Sequence, residues 1–232
     1  MASQGEAADA TLSLAYLEDQ LRELSHDASA VELVVDFASR IPTKQRQVFF
    51  SRPGALVRAP IELEEAKNAG LHEEDDDEFQ LLQGDIVQTD AAYFLGERVT
   101  DALFIVASSS CDLVPGRRKH AALLRLRPIR SDMEGAKQEL GNLLSFKSTR
   151  RMFIPPLPGF RPEVLAYAAD LDGIIAIPLE DLLLATRVAS LTLVGWRLFG
   201  SLLRGIMVRA GNDEIRLREG LVAIEAEGPR GD

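Results

Sequence analysis

Cysteine and tryptophan each occur once in these 232 residues, and tyrosine and histidine three times each. A single thiol excludes an internal disulfide. Cys111 and the histidines at 26, 72 and 120 form no C-x2-C or H-E-x-x-H spacing, so no metal centre is expected. No Walker loop and no G-x-G-x-x-G run occurs, which argues against a standard nucleotide cradle, and no cofactor is expected. The opening "MASQGEAADATL" is acidic and lacks the basic and apolar regions of a secretory signal, which predicts a cytoplasmic protein. Few aromatics lie near the basic middle of the chain, so no base-stacking platform of the single-strand-binding kind is evident.

What is present is apolar and acidic. Apolar residues make up 46%, enough for a substantial core, and the net charge is −10. That charge argues against nucleic-acid binding over the whole surface, because phosphate contact is mainly electrostatic. The charge is uneven, however. From Asp112 to Arg151 there are ten Lys or Arg against four Asp or Glu, a local balance of +6 that leaves −16 elsewhere. Such a basic middle is either an anion- or RNA-binding face or an ordinary surface that pairs with the acidic flanks.

The hydrophobic spacing organises the chain into five parts. Residues 1–42 read as a helical hairpin. Leu14, Leu17, Leu21 and Leu24 recur on one helical face, then Ser29 and Glu32 fit a capping box before Val31, Val34, Val35, Phe37, Ala38 and Ile41, and Pro42 closes the segment. Residues 43–82 form a linker. Within it "QVFFS" suits a short strand, "IELEEAKNAG" a short helix, and the six acids of "EEDDDE", 73–78, an exposed loop. Residues 83–180 carry short strand patterns: "GDIVQT", the continuous run "ALFIVASS" of a central buried strand, "AALLRLRPI" with Pro128 marking an edge, "RMFIPP" and "GIIAIP". A helix around Met133 to Leu144 interrupts them. Ten-residue helices are absent between the other strand patterns, which favours a small, mostly antiparallel barrel over a doubly wound sheet.

Residues 181–210 predict a long helix. "LTLVGWRLFGSLLRGIMV" has the length of a membrane span, but Arg197 and Arg204 fall seven apart on one face with Ser190 and Ser201. Two arginines are costly in lipid, so a helix buried on three sides is expected, with no membrane contact. Residues 211–232 suggest a short hairpin and a tail. The fold class is therefore α+β, a barrel with helices at both ends.

"SSSCDLV", 108–114, ends the apolar run and carries the only thiol. A nucleophilic cysteine needs a lowered pKa. Asp112 beside Cys111 opposes that, whereas Arg117, Arg118, Lys119 and His120 favour it if their loop folds back. The alternative is structural: Cys111 as a small buried residue at a strand end, with Asp112 capping the turn that follows.

Two stretches together carry a resemblance. "QGDIVQTD", 83–90, followed by "ERVTDALFIVASSSCDL", resembles the opening of the MazF/PemK toxin family, small SH3-like barrels that cleave RNA. Gly84, Asp85, Ile86 and Val87 match its first strand, and Phe104, Ile105, Val106, Ala107 and Ser108 its second. The family's arginine-proline pair is replaced here by "DA", and Cys111-Asp112-Leu113 lies outside its motif. The pattern G-D-I-V … S-x-S-C-D-L is also similar to a less characterised set of bacterial barrel proteins. The resemblance implies an SH3-like barrel. It also implies that cleavage would use Arg98, Ser108, Ser110 and Asp85, with Arg117, Arg118, Lys119, Arg125 and Arg127 holding the RNA backbone.

With the catalytic pattern incomplete, the expected function is a non-enzymatic binding or accessory module of a bacterial cytoplasmic system. Its expected partner is a protein or a second copy of the chain, with RNA as a further partner through residues 112–151. The alternatives are a MazF/PemK-like endoribonuclease and a cysteine-dependent hydrolase using Cys111 and Asp112.

Overall fold

The computed structural model describes residues 13–25, 29–60, 62, 81–94, 96–100, 102–157, 159 and 161–207. The helix expected at 61–70, the acidic run 73–78 and the hairpin expected at 211–232 lie outside the described residues.

Alternation builds the sheet from its middle. In β5 (Leu103–Val106) all four residues are buried. Leu103 and Ile105 enter one apolar cluster and Phe104 and Val106 the other, so the strand is covered on both faces. That double cover is why its sequence reads as an unbroken apolar run. β5 pairs antiparallel with β2 (Asp85–Gln88) on one side and β6 (His120–Arg130) on the other. Beyond them lie β9 (Thr186–Leu191) and β1 (Val57–Arg58) at one end, and β8 (Val164–Pro178) and β7 (Arg151–Ile154) at the other. The order is β1-β9-β2-β5-β6-β8-β7, antiparallel throughout and curled into a half-barrel. A separate hairpin pairs β3 (Tyr93–Phe94) with β4 (Glu97–Arg98).

Two features of β6 shape the surface. β5 matches β6 only from Leu123 to Leu126, while β6 runs on to Arg130 with β8 as its partner. Pro128, which lacks an N–H, falls in that one-sided stretch, where a missing donor is tolerated. The register also breaks between Leu124, opposite Ile174, and Leu126, opposite Ala169. Residues 170–173 of β8 are thereby freed from β6, and Asp170 pairs with Arg151 of β7 instead.

The helices pack on one face of the sheet. α1 (Leu14–Glu23) and α2 (Ala30–Arg40) bury Leu17, Leu21, Val34 and Phe37 against α6 (Leu193–Met207). Each such side chain contributes on the order of 1.5–3 kcal/mol by burial. The hairpin's apolar face is thus covered by the chain itself. The polar stripe of α6 is explained at the same contact. The Arg197 guanidinium donates to the carbonyls of Leu24 and Ser25 at the end of α1, and the Ser201 hydroxyl accepts from the Ala30 N–H at the start of α2, at 2.9 Å. Helix ends leave such groups without intrahelical partners, and here a third helix supplies them. α4 (Ala136–Leu143) packs beside β6 and β7, and a short α5 (Leu179–Leu183) follows β8.

Two segments differ from the sequence expectation. "QVFFS" lies in a helix, α3 (Thr43–Phe50), not a strand. Short apolar runs suit either state, and packing decides. Phe50 is fully buried, and its ring meets Phe146 at a centroid distance of 4.6 Å and Phe49 at 5.2 Å. The region after 181 is not one long helix: β9 precedes α6, so Ser190 belongs to a strand. Thr192 sets the boundary. Its hydroxyl accepts from the Gly195 N–H at 3.2 Å, the bond of a helix N-cap, and donates to the Ala55 carbonyl at 2.9 Å.

Candidate functional site

Most of the residues singled out by sequence lie around β2, β5 and β6, and Asp85, Ser108, Ser110 and Asp112 each hold a structural bond there. Asp85 is fully buried. Its Oδ1 accepts from the Ser190 hydroxyl at 2.5 Å and its Oδ2 from the Leu82 N–H at 2.9 Å, with Arg187 Nε 3.2 Å away. Asp85 and Ser190 face one another across the β2–β9 ladder. The carboxylate is a bolt between strands and a cap on the turn entering β2. Gly84 makes that turn possible: its φ is +90°, and a Cβ there would come within 2.9 Å of Leu191.

The serines after β5 finish its ladder. Ser108 Oγ accepts from the Ala122 N–H at 2.8 Å, and Ser110 Oγ accepts from the Gln83 N–H at 2.9 Å. Gln83, absent from the sequence expectation, holds the cluster together. Its amide donates to the Ala107 carbonyl at 2.9 Å and its carbonyl accepts from the Trp196 indole N–H at 3.2 Å, tying β2, β5 and α6.

Cys111 departs from the buried strand-end residue expected of it. It lies in the short 3-10 turn Ser110–Leu113 and is exposed, because Leu113 is the residue of that turn directed into the core. Asp112 accepts from Arg118 Nε at 3.0 Å at its carboxylate, so the basic turn does fold back, but onto the acid. Arg98 sits on the exposed β3–β4 hairpin, where its Nε donates to the Asp90 carbonyl at 2.6 Å. No hydrogen bond or ion pair joins any two of Arg98, Ser108, Cys111 and Asp85.

The basic residues divide three ways. Arg117, Arg118 and Lys119 occupy the exposed turn before β6. Arg127 is committed to a four-member charge cluster. It forks onto Glu139 of α4 at 2.5 and 3.3 Å and reaches Asp170 of β8 at 3.3 Å, and Arg151 of β7 meets the same two acids at 3.1 and 3.4 Å. The hydrogen bond from Arg127 holds the Glu139 carboxyl below its ordinary range and raises the arginine in return. Arg125, by contrast, is exposed and lines a groove.

Two grooves are relevant. One of about 460 Å3 runs past Ser108 and Gln83 beneath Trp196, Arg204 and Met207 of α6. The other, about 430 Å3, lies where β6 outruns β5 and brings Arg125 together with Arg130, Arg161 and Tyr167. Arg161 and Tyr167 were not singled out from sequence, and nothing local marks them. Among the described residues no group of three or more His, Cys, Asp or Glu is placed to hold a metal, and no helix is long and apolar enough to cross a membrane.

No family model, no curated protein and no solved structure compared with this chain matches it.

Proposed function

We propose that the chain is a non-enzymatic binding or accessory module, built on an SH3-like half-barrel and acting with a protein partner in a bacterial cytoplasm. One observation carries the reading: the polar groups that would do chemistry are already spent on the fold. Catalysis by proton transfer needs an acid and a base within hydrogen-bond reach of one reacting group. Asp85 is sealed between strands, Ser108 and Ser110 accept backbone N–H bonds, and Asp112 is paired with Arg118. Among the described residues Cys111 makes no hydrogen bond or ion pair with a histidine or a cation. The test is incubation of purified protein with single-stranded RNA without added metal. No cleavage is expected, and a protein is expected to co-purify from the native host. Cleavage that is lost in Arg98→Ala overturns the reading in favour of the MazF/PemK-like endoribonuclease.

A further inference from the structure

We propose that the groove at the end of β5 is an oxyanion site for a small phosphorylated ligand. This deepens the binding-module reading, and rests on it in that the ligand is held without reaction. The groove follows from topology. β5 begins at Leu103, opposite Leu126, and β6 continues alone on that side to Arg130. The space left beside the free stretch holds about 430 Å3, within the range of small-molecule sites.

Its polar lining among the described residues is Arg125, Arg130, Arg161, Gln88, Thr100 and Tyr167, with no carboxylate among them. Asp132 is held by Arg130 at 3.1 and 3.3 Å, and Glu163 acts on Tyr167 only through its charge. Among the described residues neither Arg125 nor Arg161 has an ion-pair partner, unlike Arg118, Arg127, Arg130, Arg150 and Arg151. Guanidinium forks match the paired oxygens of phosphate. Gln88 and Thr100 add neutral hydrogen-bonding groups. The remaining wall is apolar: buried Ala102, Leu103, Leu126 and Val164, with half-buried Pro128. The Tyr167 side chain is 4% exposed, and burial pushes its phenol up, so it lines the site as a neutral hydroxyl. A ligand with a charged phosphate end and a less polar body fits both parts.

A compact ligand fits better than a long nucleic acid. A volume of about 430 Å3 is that of a small-molecule site. The larger cleft beside α4, about 700 Å3, is lined by both signs, with Glu139 and Asp172 among Lys147, Arg150 and Arg151, and has no comparable excess.

The test is calorimetric titration of the full chain with inorganic pyrophosphate at low ionic strength. Saturable binding is expected, with Arg125→Gln and Arg161→Gln each weakening it by about tenfold or more, the loss expected for a charge-assisted hydrogen bond. Arg22→Gln on α1, outside the groove, is expected to bind as the unsubstituted protein. Thermal melts check folding, and where a glutamine variant melts early, Arg125→Lys and Arg161→Lys replace it, with weaker binding expected from loss of the fork. No saturable binding, or equal binding by the variants, overturns the site and leaves the module reading standing. Pyrophosphate that binds and is hydrolysed overturns the module reading and keeps the site. A short single-stranded RNA that binds through Arg125 and Arg161, and that pyrophosphate does not displace, overturns the small-ligand assignment.

Discussion

Replacing Asp85 by Asn separates a structural bolt from a catalytic carboxylate. Two donors and a cation meet this side chain: the Ser190 hydroxyl and the Leu82 N–H donate to it, and Arg187 forms an ion pair with it at 3.2 Å. A carboxylate accepts both hydrogen bonds and balances the guanidinium charge. An amide offers one oxygen and turns an NH2 toward at least one donor, so a donor faces a donor at a site of 0% exposure. Arg187 is itself only 16% exposed, so the ion pair is largely shielded from water. Breaking a buried pair costs about 3–5 kcal/mol, a large share of the roughly 5–15 kcal/mol that holds a domain folded. Ser190→Ala removes one donor and leaves the carboxylate satisfied, so about 1 kcal/mol is expected. Trp196, the only tryptophan, reports urea unfolding by fluorescence. Asp85→Asn should move the midpoint far below that of Ser190→Ala with an unchanged slope. The double variant Asp85→Asn with Arg187→Met should recover at least about 1 kcal/mol of the summed single losses. An Asp85→Asn protein within about 1 kcal/mol of the parent would refute the reasoning.

Three further outcomes follow from particular contacts. Glu139 is held below its unfolded value by Arg127, so its contribution to stability is present above about pH 4.5 and is lost as the pH falls through its lower folded value; Glu139→Gln should flatten that acid limb in pH-dependent melts. Gly195→Ala should destabilise by about 1–3 kcal/mol, since its Cβ would stand 2.3 Å from the Leu56 carbonyl oxygen, whereas Gly200→Ala on the same helix meets nothing within 4 Å and should stabilise by up to about 1 kcal/mol through helix propensity. The exposed Cys111 should react with an alkylating reagent in the native protein, and Cys111→Ser should shift the urea midpoint by no more than about 0.5 kcal/mol equivalent.

The sequence revealed elements whose signals are local. The 3.6-residue spacing of Leu14, Leu17 and Leu21 and the cap at Ser29 appear where expected, because both depend on neighbours within one helix. The apolar run of β5 also reads directly, because both faces are covered. β8 was found only from "GIIAIP" onward. Its first half, Val164 to Asp172, includes three alanines, whose small side chains carry little alternation, and it is held as a strand by β6 and β7. The "QVFFS" segment was misread because its helical state depends on rings from Phe146 and Phe37, distant in sequence.

The candidate site was harder to read for a related reason, and β5 supplies it. "SSSCDLV" looks chemical because it gathers hydroxyls, a thiol and an acid. Its composition follows from where the strand must stop. At that end the Ala122 carbonyl accepts from both Ala107 and Ser108, and the Ser108 hydroxyl takes the Ala122 N–H that a longer strand would have bound through its backbone. Polar side chains after a buried strand are what its neighbours require, since a buried backbone donor left unpaired is costly. The opposite end of β5 has no such substitute. There β6 runs on past Leu126 with no neighbour on the β5 side, Pro128 removes a donor, and the lining comes from residues 88, 100, 125, 130, 161 and 167, which only the strand order brings together. A cluster contiguous in sequence was thus drawn into completing the fold. The groove that gathers Arg125, Arg130 and Arg161 is assembled from six separate places in the chain, and no motif could have announced it.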